Sequence, residues 1–248
     1  MNFQFIHIYS DDHTPNLDAR KIACEITDFF PRIKVNVRSE FLRYWNASTK
    51  IERARISDIK KPFEKQPTHN DYNSCTAPPL VDGFVLQKLF SEAIFDAERY
   101  SNHLHIIFSN LLTCTFSEDD WRYHGRTVIC GTPSIVSTVG IVEAPAKPRE
   151  FYIAQYSEFT DIDGLKKQFA GKFIDYCDSR IAAAAMGCAL QAIFFFITDG
   201  DPFCMNRNCR LFNSHWQQDL IRTQIEMPRL CDRHQEMANK FNRQMSMR

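Results

Sequence analysis

Much that would advertise a function is missing from this sequence. Only 8 of its 248 residues are glycine. None of them sits in a Walker loop, a GxGxxG turn, a GxSxG elbow or an EF-hand loop, which excludes those nucleotide, serine-hydrolase and calcium motifs. Lysine plus arginine balance aspartate plus glutamate at 30 each, so the formal net charge is +0. A balanced chain exerts no general pull on nucleic acid or on an anionic membrane. Nothing repeats at a fixed period. The longest apolar run, Ile181–Ile197, is short for a bilayer span and contains Gln191; it reads as a buried central helix. The opening MNFQFIHIYS alternates like a strand and has no basic flank before an apolar stretch, so no secretory signal is expected. Nine cysteines without such a signal suit a reducing compartment, and the expected location is cytoplasmic.

What is present belongs to an ordinary globular protein, 44% hydrophobic and 24% charged, with enough chain for one large domain over 1–248. Phe3–Tyr9 reads as a strand, Leu17–Phe30 as an amphipathic helix and Ile33–Val37 as a second strand. That β-α-β opening implies an α/β fold with a mixed sheet packed against helices. Residues 41–61 suggest one or two helices, and Lys60–Pro79, rich in proline and asparagine, a long surface loop. Val81–Tyr100 repeats apolar residues at helical spacing. His103 and His105 stand in an H-x-H pattern that puts both rings on one face of a strand. With no third ligand in view, core histidines are the simpler reading. Strands are expected over Arg126–Cys130 and Ile135–Val142, and the central helix over about 173–197, stopped by Asp199-Gly200. Asn213-Ser214 are placed to cap a helix over His215–Ile225, and a polar helix runs from Asp232 to Arg248.

Cys204, Cys209, Cys231 and His234 stand apart from this background. Their spacing is C-x4-C, an interval of about twenty residues, then C-x2-H. The first pair lies among turn formers and the second opens the last helix. Paired thiolate and imidazole ligands a few residues apart suit a tetrahedral structural zinc. The expectation is one structural Zn2+ in a small knuckle subdomain over 201–248, beside a sheet-and-helix part over 1–200. Unrelated buried thiols and a surface histidine are the plainer alternative.

The same stretch resembles the archaemetzincins. That family carries HExxHxxGxxHC, then x4-C-x-M and a later CxxC. Its three histidines hold a catalytic zinc, its glutamate is the general base, and its four cysteines hold a structural zinc. In this chain Gly200-x3-Cys204-x4-Cys209 matches the downstream half, Leu211 stands in place of the methionine, and Cys231 with His234 replaces the CxxC. Counting back from Gly200 puts Ile193, Ile197 and Phe203 at the histidine positions and Phe194 at the glutamate. None of these side chains offers a lone pair or a transferable proton, whereas a catalytic zinc needs three ligands, a water and a nearby base. The resemblance therefore implies a zincin-like scaffold without peptidase activity, whose cleft takes a peptide or protein partner.

A different reading keeps the enzyme and moves its centre. Tyr123, His124, Glu143, Lys147, Arg149 and Tyr152 form the densest polar set outside the knuckle, and His215 follows it closely. His124 and His215, with His103 or His105, would serve as ligands and Glu143 as the base of a second, catalytic ion. Binding of nucleic acid through Arg207, Arg210 and Arg222 is not expected, given the neutral balance.

Overall fold

The computed structural model describes residues 3–10, 17–39, 50–56, 58–60, 80–157 and 162–246. Beyond Lys60, the expected surface loop lies outside the described residues, as do residues 41–49, 57 and 61 of the expected helical stretch.

The opening unit forms as its pattern implies. Phe5–Ser10 (β1) is followed by helix Ala19–Phe29 (α1) and strand Lys34–Ser39 (β2), and β2 pairs parallel with β1. Asp18 starts the helix by accepting the backbone N–H of Arg20 and Lys21 on its carboxylate. Ile22, Ala23 and Ile26 make the buried stripe. Next come strand Leu80–Asp82 (β3) and helix Gly83–Ala93 (α2), with Asp82 capping Phe84 and Val85 in the same way. The helix expected from Val81 thus starts two residues later, because Val81 pairs with β5, Leu112–Ser117.

His103–Ser109 (β4), Arg122–Gly125 (β6), Val128–Ile129 (β7) and Ser134–Ser137 (β8) complete the strands among the described residues. Two mixed sheets result. The larger has the order β2-β1-β4-β8-β7, parallel except for the antiparallel edge β7; the smaller has the order β3-β5-β6. The strand expected over Ile135–Val142 ends at Ser137. There the Ser137 hydroxyl accepts the Gly140 N–H and opens a helix, Thr138–Glu143 (α3). Helices Arg149–Ser157 (α4) and Ile162–Gln168 (α5) follow.

The central helix, α6, spans Ile181–Ile197 and is buried along most of its length. It shares one core with Ile6, Ile8, Leu104, Ile106 and Phe108 of the large sheet, and each such side chain contributes about 1.5–3 kcal/mol on burial. The expected start near 173 is incorrect. Cys177 has φ 63, a left-handed conformation no α-helix passes through. Arg180 further ties the preceding turn together by donating to the Gly171 and Phe173 carbonyls and to Asp178. The stop at Asp199-Gly200 is found as expected: Asp199 is left-handed at φ 53, and Gly200 returns its N–H to the Phe195 carbonyl at 2.8 Å.

The helix expected over His215–Ile225 is shorter and differently capped. It spans Gln217–Ile221 (α7), begins after Trp216 without a side-chain cap, and widens into a π turn over Arg222–Glu226. Gln217, fully buried, explains the shift: its amide donates to the Ile141 and Val142 carbonyls and accepts from the Ile174 N–H. The last helix, Asp232–Ser246 (α8), folds back on the opening unit. Phe241 stacks on Phe3 at 4.9 Å, and Asn242 donates to the Phe29 carbonyl at 2.9 Å. Among the described residues no helix is long and apolar enough to cross a membrane.

Candidate functional site

The knuckle is assembled by backbone turns before any ligand is considered. Cys204 and Phe212 form a bridge, with the Cys204 N–H donating to the Leu211 carbonyl at 2.9 Å. Between them the chain turns on Cys209 N–H to Asn206 carbonyl, 2.9 Å. The Arg210 N–H then reaches the Arg229 carbonyl at 2.8 Å, which draws the segment before α8 alongside. Cys231 immediately precedes α8 and His234 sits in its first turn, so both face the loop cysteines.

Four ligand atoms, one each from Cys204, Cys209, Cys231 and His234, lie within 4.8 Å of one another. The Cys204 and Cys231 sulfurs are 3.9 Å apart. His234 Nδ1 stands 3.7 Å from the Cys209 sulfur and 3.1 Å from that of Cys231. A tetrahedral zinc with Zn–S near 2.3 Å and Zn–N near 2.0 Å requires edges of roughly 3.8 Å between sulfurs and roughly 3.5 Å between sulfur and nitrogen. The observed spacings fit that ion and are far too long for a disulfide. Backbone N–H groups already point at the sulfurs: Asn206 at Cys204, 3.3 Å, and Cys231 at Cys209, 3.4 Å.

Left without a cation, three of these four groups resist taking a charge, and Cys231 is the exception. Burial pushes the Cys209 thiol up to about 12 and raises Cys204. Burial also works against the Cys231 thiolate, but the His234 N–H and the neighbouring thiols outweigh it and lower the value. Burial, then the Arg233 charge, keeps His234 neutral. Three thiols and a neutral imidazole converging on one point make a donor set that loses protons to a soft or borderline metal.

A cavity of about 370 Å³ lies at the β7 edge of the large sheet. One wall is the stretch Arg126–Cys130, which contains β7; the other is the chain after α6, with Gly200, Pro202 and Phe203. His215 also lines it. Thr115 and Ser214 add hydroxyls, and among the described residues no carboxylate lines the cavity.

Three of the four positions that the resemblance assigns to ligands and base lie in the last part of α6, and the fourth, Phe203, lies just after it. Ile193 and Phe194 are fully buried, while Ile197 and Phe203 are partly buried against the same core. The Phe194 ring meets the His234 ring edge-on at 5.6 Å, so the helix packs directly on the knuckle.

The polar set of the relocated centre does not converge. His124 bonds to Asp120 at 2.8 Å on the small sheet. Glu143 pairs with Lys147 at 3.8 Å and accepts from Tyr176. Tyr123 donates to Asp82, and the Tyr152 hydroxyl accepts the Lys147 N–H. Gly125 and Ala144, not His124 and Glu143, line the cavity beside His215. Among the described residues two groups of potential metal ligands converge, and neither contains His124, Glu143 or His215.

The second group is one that sequence reasoning missed: His7, Glu98 and His105. The H-x-H pattern of β4 was its visible half. His7 comes from β1, 98 residues before His105, and pairing of two parallel strands is what brings it in.

A model of a family described as a probable metallopeptidase family (DUF6775) matches residues 2–241. The chain belongs to that family. No curated protein and no solved structure matches it. Membership and the two Cys/His-containing clusters together point to a metalloprotein, with zinc the ion that the knuckle geometry fits.

Proposed function

We propose that this family member is an archaemetzincin-like homologue that no longer cleaves peptides. It forms a single domain, carries a structural zinc on Cys204, Cys209, Cys231 and His234, and holds an extended segment of a peptide or protein partner in its cleft. One observation carries this reading. The positions that the resemblance assigns to ligands and base hold Ile193 and Phe194, buried in the core, and Ile197 and Phe203, partly buried against it, and among the described residues no carboxylate lines the cleft that Phe203 borders. Water activation has neither its metal ligands nor its base there.

The cleft retains what binding needs. β7 is the last strand in the sheet order, and an edge strand offers backbone groups on which an extended peptide can add. Phe203 and Pro202 supply apolar contact opposite it. The balanced charge argues for a protein rather than a nucleic-acid partner. No observation favours a catalytic centre on His124, Glu143 and His215.

The test combines metal content with turnover. Protein purified without chelator should hold zinc that Cys204→Ser loses. That variant should melt about 10 °C lower or more, because structural zinc affinity is folding free energy. A fluorogenic peptide library should be bound, less tightly by Phe203→Ala, and not cleaved. Chelator-sensitive cleavage of that library would overturn the proposal, as would Cys204→Ser with unchanged zinc content and melting temperature.

A further inference from the structure

The large sheet carries a ladder of rings on the face away from α6. Ile6, Ile8, Leu104 and Ile106 point toward α6, so alternation turns Phe5, His7, Tyr9, His103 and His105 the other way. On that side Tyr9 and Ile107 pack with Leu86 and Phe90 of α2. His7 stands opposite His105 in register, and the two rings stack at 4.8 Å. The turn Asp96–Glu98 after α2 then brings Glu98 over them. One ligand atom from each of His7, Glu98 and His105 falls within 4.8 Å of the others.

The hydrogen bonds orient these groups. His105 Nε2 lies 2.8 Å from the Glu98 carbonyl, which only accepts, so the proton is on Nε2 and Nδ1 carries a lone pair. That lone pair now accepts the Tyr9 hydroxyl at 2.8 Å. An imidazole tied through its far N–H to a backbone carbonyl is the arrangement by which proteins aim a metal ligand. His7 Nε2 meets His103 Nδ1 at 2.8 Å, while His7 Nδ1 is buried with no hydrogen-bond partner among the described residues. A buried ring nitrogen left so calls for an explanation, and a bound ion supplies one. Arg38 grips Glu98 with both guanidinium nitrogens, at 2.7 and 2.5 Å, yet each carboxylate oxygen keeps a further lone pair.

The protonation states suit a ligand set. Burial, then the Arg38 charge, pushes His7 down to about 4, and burial lowers His105. The Arg38 hydrogen bonds hold Glu98 ionised. At neutral pH the group is two neutral imidazoles and one carboxylate, the forms a metal requires.

We propose that His7, His105 and Glu98 form a metal site separate from the knuckle, for a divalent first-row ion that accepts imidazole nitrogen and carboxylate oxygen, such as Zn2+ or Co2+. The imidazoles are almost fully buried, His7 2% exposed and His105 0%. A peptide cannot reach the ion, whose effect is to clamp the turn after α2 onto β1 and β4. With Arg38 sharing the carboxylate, the site binds more weakly than the thiolate knuckle does. The proposal is independent of whether the cleft binds or cleaves peptides.

Cobalt separates the two sites by its ligands. The full-length protein, its knuckle first loaded with Zn2+ and its zinc counted by elemental analysis, is titrated with Co2+. One cobalt ion per chain should add to the zinc, with d–d absorption but no sulfur-to-cobalt charge-transfer band, and the melting temperature should rise. Glu98→Gln should weaken uptake about tenfold and His7→Ala about a hundredfold. If His7→Ala fails to fold, X-ray absorption at the cobalt edge of the unsubstituted protein serves instead, and a nitrogen and oxygen shell without sulfur supports the site. No cobalt beyond the zinc, a sulfur-containing shell, or equal uptake by folded Glu98→Gln would each overturn it.

Discussion

Gly187→Ala is the substitution that asks most of the fold. On helix propensity alone it should stabilise α6 by about 1 kcal/mol. The structure reverses that sign. A Cβ at 187 would lie 1.7 Å from Gln224 Oε1 and 2.4 Å from its Cδ. Gln224 is 2% exposed, so its amide has no solvent to retreat into. It donates to the Arg210 carbonyl at 2.8 Å and to the Thr223 hydroxyl at 3.2 Å, and accepts from Arg210 Nε at 3.3 Å. Displacing it loses two or three bonds of about 1 kcal/mol each, and overpacking adds about 1–3 kcal/mol. The net cost is about 3 kcal/mol, or about 6–12 °C in melting temperature for a chain of this size. Because Arg210 adjoins Cys209, zinc retention should fall as well. Calorimetry of the zinc-loaded protein, with zinc counted before and after dialysis, reads both effects. Gly187→Ala combined with Gln224→Ala should recover part of the loss. A single variant as stable as the parent, or more so, would refute the close approach of the π turn to the central helix.

Other perturbations test separate parts of the molecule. Gln217→Leu leaves the Ile141 and Val142 carbonyls and the Ile174 N–H buried without their partner; urea unfolding should show a loss of about 3 kcal/mol or more. Glu143→Gln removes a surface partner of Lys147. Its melting temperature should change little, as surface pairs contribute about 0–1 kcal/mol, and circular dichroism should show an intact fold. For chelator-treated protein, His7 has a folded value of about 4 against an ordinary 6.5, so the unfolded chain binds more protons between those values. His105, also lowered by burial, acts in the same direction. The stability these residues contribute is complete above about pH 6.5 and is lost as the pH falls toward 4, which pH-dependent denaturation would record.

Much of this was legible in the sequence where the signal is local. The β1-α1-β2 unit announces itself through alternation, a 3.6-residue stripe and the proline after Phe30. Cys204, Cys209, Cys231 and His234 are two short-range pairs, so their spacing carries the geometry that the fold then joins. Local signals misled where a side chain overrode composition. Residues 173–180 look helical until Arg180 turns back on the Gly171 and Phe173 carbonyls. Apolar Ile135–Val142 looks like one strand until the Ser137 hydroxyl caps a helix in its middle. The His7, Glu98 and His105 group was out of reach for another reason. It depends on which strand lies beside β4, a fact of topology that no window of sequence contains. The spread of His124 and Glu143 to separate partners was hidden in the same way.

The ring stack between Phe3 and Phe241, with Asn242 closing on Phe29, has a bearing on how the protein is made. The first strand and first helix emerge early from the ribosome, but the helix that covers their outer apolar side is synthesised more than two hundred residues later. β1 must also wait for β4 to gain its second neighbour. Until α8 is made, the nascent chain therefore lacks the cover that α8 gives to Phe3 and Phe30. A ribosome stalled before residue 230 would present this surface with neither its helical cover nor Cys231 and His234, so the four-residue cluster can close only once the last helix has been made.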